Sequence, residues 1–342
     1  MWKKLSICIQ FRTRMKKLIL LYAAFLLILT GCKSGSNDSD GKRLPVDNNI
    51  VESDSTSNIK GCEIDSTKFK KTKIFEKLAE DSEKNILPER FSLLDFAPRR
   101  RSQGMQGSCV AWSSAYAART ILDAITNERN PDDLVFSPSF LYNQIKVSGC
   151  DNGSYTTDAL DMLVQKGVCT LPTFPYTDKS CDKQPGQTQF QEAQNYKILG
   201  YNRLTVGLDA KLDFTAMKQN IAKGAPVVIA MPVGGSFDLS SGKKLWTPTP
   251  EDDAELEKYK ADWRTSKLGG HAMCLIGYDD TYEGGAVQIM NSWGDDFGDN
   301  GIIWIRYKDF ARYCREAYGL FPFPRKKKEE TSETDFSASV GF

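Results

Sequence analysis

Histidine is almost absent from this 342-residue chain: His271 is the only one. Any chemistry that needs an imidazole must pass through that position. Net charge is nearly absent too, at +1 from 45 basic and 44 acidic residues. With no basic stripe interleaved with aromatics, no nucleic-acid partner is expected. Apart from Leu18 to Leu29 there is no long apolar run, and that one is too short to be a comfortable spanning helix. No internal repeat is visible. What remains is an ordinary globular composition, 40% hydrophobic and 26% charged, with length enough for one large domain or two medium ones.

Lys16 and Lys17 precede the apolar run, and Leu29-Thr30-Gly31-Cys32 follows it. This arrangement resembles a bacterial lipoprotein signal, in which the Cys is lipidated and becomes the new N-terminus. Residues 1–31 are accordingly expected to be removed, and Cys32 to tie the chain to a membrane. Met15 opens a tidier signal than Met1. Lys33, rather than Asp, follows Cys32, which points to the outer membrane or cell surface of a bacterial envelope. Residues 32–85 read as a flexible tether, Ser/Asn/Asp-rich at first, with one short helix at 74–83. About 50 residues of coil reach on the order of 40 Å. Residues 325–342 read as a charged, disordered tail.

Export bears on the cysteines. Of nine, Cys8 and Cys32 lie in the signal, leaving Cys62, Cys109, Cys150, Cys169, Cys181, Cys274 and Cys314. An odd number in a compartment that permits disulfides leaves at least one thiol free or paired between chains.

The folded part is expected over 86–324. Its first half reads as helical: Ser108 as N-cap of a helix from Cys109 to about Ala124, Ser137-Pro138 opening a second, and Thr157 capping a third that stops at Gly167. After a short helix within 213–223, apolar runs at 227–231, 272–278, 287–290 and 302–307 read as strands. Helices followed by strands imply an α+β fold of two lobes with a cleft between them.

Three segments carry chemistry. In Gln103-Gly104-Met105-Gln106-Gly107-Ser108-Cys109 a thiol sits at a helix start, where unpaired N–H groups favour thiolate. His271 stands between a glycine pair and an apolar strand. Asn291-Ser292-Trp293-Gly294 ends a strand, and an Asn side-chain oxygen accepting from an imidazole N–H fixes its tautomer while the Trp shields the bond. These motifs, in this order and at this spacing, resemble the papain family of cysteine peptidases over roughly residues 86–324. The resemblance implies a helical lobe and a β-barrel-like lobe. It also implies Cys109 as nucleophile, His271 as base and acid, Asn291 as its orienting amide and Trp293 as cover. Gln103 and the Cys109 N–H become an oxyanion hole. Gly153, Ser154 and Tyr155 become an extended-strand binding site, and Ala230 and Ala272 the lining of the pocket for the second residue before the scissile bond. A polypeptide substrate is implied, with no cofactor and no metal.

Departures from the family pattern matter. Gln106 stands where a Cys bonded to the equivalent of Cys150 is usual, so that bridge is lost, and Cys169 and Cys181 are candidates to pair with each other. Val110 replaces a Trp after the nucleophile. Residues 236–268 are longer than usual and either edge the cleft or form a solvated insertion. The full inhibitory propeptide is missing. A lone His argues against a His-bearing occluding loop. The expected activity is peptide-bond hydrolysis on extracytoplasmic proteins or peptides. A binding lipoprotein that merely keeps the cleft, or a transpeptidase or amidase on cell-wall peptides, are the competing readings. Oligomeric state is left open.

Overall fold

A computed structural model describes residues 58–73, 87–206 and 211–321. The signal segment, Cys32, the helix read at 74–83 and the tail at 325–342 lie outside the described residues. Residues 58–73, counted above within the tether, are folded onto the domain. They include helix α1 (Ser66–Lys71), whose first N–H groups, on Thr67 and Lys68, donate to the Asp65 carboxylate. Phe69 is buried and meets Tyr318 edge-on, with ring centroids 5.4 Å apart. The tether is therefore interrupted by an anchored stretch.

The helical half is built around α2. It opens with an α-helical turn, Cys109–Ala111, widens into a π-helical stretch, Trp112–Arg119, and closes as α-helix, Thr120–Asn127. Every residue from Cys109 to Ala124 is buried, so this is a central helix rather than an amphipathic surface one. Helix α3 (Pro138–Ile145) starts as its sequence suggests, with the Phe140 N–H donating to Ser137 Oγ and Pro138 in the first turn. Helix α4 (Thr156–Gln165) starts earlier than the Thr157 cap implied. Ser154 is drawn into a β-bridge with Cys62, which keeps the backbone extended through Tyr155, and the helix begins directly after it. Gly167, at φ 79°, ends it by donating to the Met162 carbonyl at 3.0 Å. A shorter α5 (Gln187–Ala193) follows.

Cys169 and Cys181 do not pair. Cys181 is bonded to Cys150, and Cys169 is a free, buried thiol. Helix α3 explains the choice: Tyr142 donates to the Cys150 carbonyl and Lys146 to the Cys181 carbonyl, which holds both cysteines against its last turn. Cys169 is held elsewhere, its carbonyl accepting from Ser137. Cys150 thus keeps a bridge despite Gln106, with a different partner.

The second half supplies the sheet. Strands β1 (Arg90–Ser92), β2 (Gly200–Arg203), β5 (Val227–Val233), β6 (Leu245–Trp246), β7 (Gly269–Asp279), β8 (Ala286–Met290), β9 (Ile302–Arg306) and β10 (Glu316–Phe321) form it in the order β2-β10-β5-β7-β8-β9-β6, with β1 also on β7. Only β6–β9 is parallel among these described pairs; β3 (Thr205–Val206) and β4 (Lys211–Leu212) pair separately. Helix α6 (Phe214–Ala222) is capped by Asp213, α7 (Pro250–Ala261) by a Thr249–Asp252 capping box, and α8 (Tyr307–Tyr313) follows β9 directly. The α+β fold with a helical and a sheet part is as expected. Its useful consequence is that the N-terminus of α2 meets the start of β7.

Candidate active site

Cys109 is the first residue of α2 and is wholly buried. Ser108 occupies the cap position but does not cap. Tyr176 donates to the Gln103 carbonyl at 2.6 Å, so the Ser108 hydroxyl donates to the Tyr176 oxygen, 2.7 Å away, and is not available to the helix. The sulfur instead receives backbone N–H groups. Ala272 N lies 3.5 Å away, and the N–H groups of Gly61, Val110 and Cys109 itself also act on it. Burial nevertheless dominates and pushes the thiol up to about 11.

His271 stands one residue before Ala272 on β7, paired with Met231 of β5. Its Nε2 is 2.7 Å from Asn291 Oδ1. That oxygen also accepts from the Ser292 N–H at 2.8 Å, which fixes the amide with its oxygen toward the ring. Nε2 therefore carries the proton, and Nδ1 keeps its lone pair. Nδ1 is buried without a hydrogen-bond partner among the described residues. Trp293 stacks on the imidazole at 4.4 Å and 27°. Burial pushes His271 down to about 3; the Asn291 bond opposes this and the nearby Lys60 charge adds to it.

Gln103 is buried and tied to both walls. Its N–H donates to the Ser292 carbonyl and its Oε1 accepts from Ser292 Oγ at 2.7 Å. Its Nε2 donates to the Gln106 carbonyl at 2.9 Å and, at 3.0 Å, to the carbonyl of Ile59. Trp293 Nε1 donates to the same Ile59 oxygen at 3.3 Å. A carbonyl oxygen from the supposed tether thus sits on the amide donor assigned to an oxyanion.

Residues 58–65 run along this cleft as a strap. Ser154 N–H donates to the Gly61 carbonyl at 3.0 Å, the Glu63 N–H to the Ser154 carbonyl at 3.1 Å, and the Cys62 N–H to the Gly270 carbonyl at 2.9 Å. Gly61 turns its N–H to the Cys109 sulfur while its carbonyl is held by Ser154. The approach is close: a Cβ on Gly61 would lie 2.1 Å from the Gly107 oxygen, and one on Gly270 2.0 Å from the Cys62 oxygen. Lys60 pairs with Asp238 at 2.8 Å, and Asn58 donates to the Asp238 carbonyl. The 236–268 segment therefore edges the cleft through Asp238, while much of α7 is exposed.

The strap also locates the remaining predicted residues. Ser154, not Gly153, makes the backbone pairing; the Gly153 carbonyl is taken by Val147, and Gly153 contributes by lacking a Cβ, which would lie 2.3 Å from the Gly61 oxygen. Tyr155 lies under the Lys68 ammonium, 3.7 Å from its ring centroid. Ala230 and Ala272 are partners across β5 and β7. Ser292 and Tyr176, which pin Gln103, were not read from the sequence, and neither was the strap. Glycines in a polar stretch, Gly61 among them, were the available signal, and they read equally well as tether.

Residues 95–319 match the model of the Papain family cysteine protease family. The chain is similar to an uncharacterized peptidase C1-like protein of Acanthamoeba polyphaga mimivirus, 26% identical over 233 residues, 66% of this chain and 67% of that one. It is similar to papain of Carica papaya, 25% identical over 217 residues, 60% of this chain and 50% of papain's. It spans about half to two thirds of the length of these curated relatives. Among solved structures it resembles xylellain, a cysteine protease from Xylella fastidiosa, with a TM-score of 0.58 and 24% identity over 79% of this chain and 97% of that one, a likeness of fold. With the match extending over most of the described domain and more than half of the sequence, the chain belongs to the papain family of cysteine proteases.

Proposed function

We propose that the chain is a cysteine peptidase of the cell envelope that hydrolyses extracytoplasmic proteins or peptides, and that residues 58–65 hold it latent. The observation that carries this reading is the His271 ring, its Nε2 proton committed to Asn291 under Trp293, its Nδ1 without a hydrogen-bond partner among the described residues, one residue from the N–H that reaches Cys109. Once the strap leaves, water and substrate dipoles enter and the thiol can pass its proton to Nδ1. The thiolate attacks the scissile carbonyl carbon, forming a C–S bond as the carbonyl π pair moves to oxygen. Gln103 Nε2, released from Ile59, and the Cys109 N–H donate to that oxyanion. Collapse breaks the C–N bond, and His271 protonates the departing amine. His271 then takes a proton from water, which attacks the thioester, and the acid and the thiol are regenerated.

With the strap in place the same groups are held neutral, because burial disfavours both thiolate and imidazolium. Attachment through Cys32 is supported by Leu29-Thr30-Gly31-Cys32 and by the polar stretch that follows it.

The peptidase reading is tested by incubating the reduced chain with peptides and identifying products by mass. Free carboxyl and amine ends at a peptide bond support hydrolysis; products joined to an added amine point to transfer. No cleavage, together with no labelling of Cys109 by an epoxysuccinyl electrophile, sinks it. The anchor is tested separately, by incorporation of a tagged fatty acid that Cys32→Ala abolishes.

A further inference from the structure

Helix α2 starts unlike the helices of this chain that a side chain caps. At α1, α3, α6 and α7 an extended residue precedes the helix, and its side chain accepts from the first turn: Asp65, Ser137, Asp213 and Thr249. Ser108 holds that position before Cys109, but at φ −101° and ψ 15° it is not extended, and its side chain makes no cap bond. Serine is among the best capping residues, and a capping oxygen takes the N–H of the second or third helical residue. Here those residues are Val110 and Ala111. The Val110 N–H instead acts on the Cys109 sulfur, together with the N–H of Cys109 itself.

Tyr176 accounts for the difference. Its ring is buried and meets Trp112 edge-on, with centroids 4.9 Å apart, which fixes the hydroxyl. That hydroxyl donates to the Gln103 carbonyl at 2.6 Å and accepts from Ser108 Oγ at 2.7 Å. It therefore spans the turn from Gln103 to the residue before the nucleophile. The next two residues follow the same turn. The Thr177 carbonyl accepts from Gln106 Nε2 at 3.3 Å, and the Asp178 carboxylate accepts from the Met105 N–H at 3.0 Å. The bond to Tyr176 keeps the Ser108 side chain turned away from the helix. It also settles the peptide between Ser108 and Cys109, whose N–H serves sulfur and oxyanion alike.

Resting on the peptidase reading, we infer that Tyr176 is a positioning residue for the nucleophile: by engaging Ser108 it leaves the first N–H groups of α2 to the Cys109 sulfur. Without that hydroxyl, Ser108 turns extended and caps the helix as Asp65, Ser137, Asp213 and Thr249 cap theirs, and the thiolate loses a donor. Tyr176 acts through Ser108 and does not touch the sulfur itself.

The test uses the full chain carrying Gly61→Ala, which drives the strap off Gly107. In the reduced chain, alkylation of Cys109 by iodoacetamide is followed by peptide mass as a function of pH. Tyr176→Phe is expected to raise the midpoint of that rate profile by at least about 0.5 pH unit, because a hydrogen bond to the charged form is lost. Adding Ser108→Ala removes the competing cap and is expected to return the midpoint to within about 0.2 unit of the parent. Cys62 and Tyr142, within electrostatic reach of the sulfur, and His271, beside Ala272, are untouched by these substitutions. An unmoved midpoint in Tyr176→Phe overturns the inference. A raised midpoint that Ser108→Ala does not restore also overturns it, since loosened packing alone gives that result. If Tyr176→Phe does not fold, Ser108→Ala alone decides: the parent's midpoint supports the inference, and a raised one overturns it. Peptide cleavage is measured in the same chains. The expected midpoints without any cleavage support the inference and overturn the peptidase reading, whereas cleavage with equal midpoints does the reverse.

Discussion

The walls of the cleft and the strap laid along it are held by different kinds of contact. Cys109, His271, Asn291 and Gln103 are each at most 3% exposed and are fixed by side-chain hydrogen bonds, a stacked Trp293 and packing of α2 on β7. The strap near the thiol is fixed mainly through its backbone: Ser154, Gly270 and Gln103 all address main-chain groups of residues 59–63. Each such bond contributes about 0.5–1.5 kcal/mol net, and any extended polypeptide can make the same ones. Side-chain contacts within the walls do not depend on the strap, whereas a substrate backbone can replace the bonds that hold the strap. Its local advantages are covalent attachment, Phe69 in the core, and the ion pairs of Lys60 and Lys68.

Changes to the walls should have the largest effects. In the Gly61→Ala chain, Cys109→Ala is expected to lower kcat/KM for a peptide by about 10⁴ or more, without a large shift in Tm. Residual activity close to the parent would place the nucleophile elsewhere. Gln103→Ala should lower kcat by about 10²–10³ in the same background. Gln103 serves wall and strap alike, so in the otherwise unmodified chain the loss should be smaller, because the strap loses a donor too. An equal loss in both backgrounds would break the link between the two regions.

Strap substitutions follow. Gly61→Ala alone should raise activity at least about tenfold, which needs only about 1.4 kcal/mol of strap destabilisation; a Cβ 2.1 Å from the Gly107 oxygen supplies a clash that the backbone must relieve. The pH dependence of iodoacetamide alkylation should change with it. In the strapped chain the thiol is raised to about 11, so thiolate, and with it the rate, should climb roughly tenfold per pH unit well above pH 8. In the Gly61→Ala chain the rate should level off at lower pH. Superimposable profiles would mean that the strap does not set the thiol's environment. The smallest effect is expected from Lys60→Ala. Its partly buried pair with Asp238 is worth up to about 1 kcal/mol, so activity should rise no more than about fivefold, and less in high salt.

The same contrast explains what could be read from the amino-acid sequence. Cys109, Gln103 and Asn291 stand in short motifs, and His271 has no rival in the chain, so the wall residues were legible as candidates before any fold was known. The α+β order of helices and strands was legible from periodicity. Residues 58–65 were not, because backbone hydrogen bonds leave little trace in side-chain identity. Gly61, required by the contact with Gly107, looks like a linker glycine. The Cys150–Cys181 bridge was hidden because α3, not proximity in sequence, brings the two sulfurs together. The early start of α4 likewise depends on Ser154 pairing with a segment far away in sequence.

The peptidase reading stands on Cys109 as a competent nucleophile shielded by the strap. It is tested most directly by following the intact mass of the reduced chain against an epoxysuccinyl electrophile at pH 7. The expected result is a single adduct that is absent in Cys109→Ala and forms at least tenfold faster in Gly61→Ala than in the unmodified chain. Equal rates in the two chains, or an adduct that persists without Cys109, would contradict it.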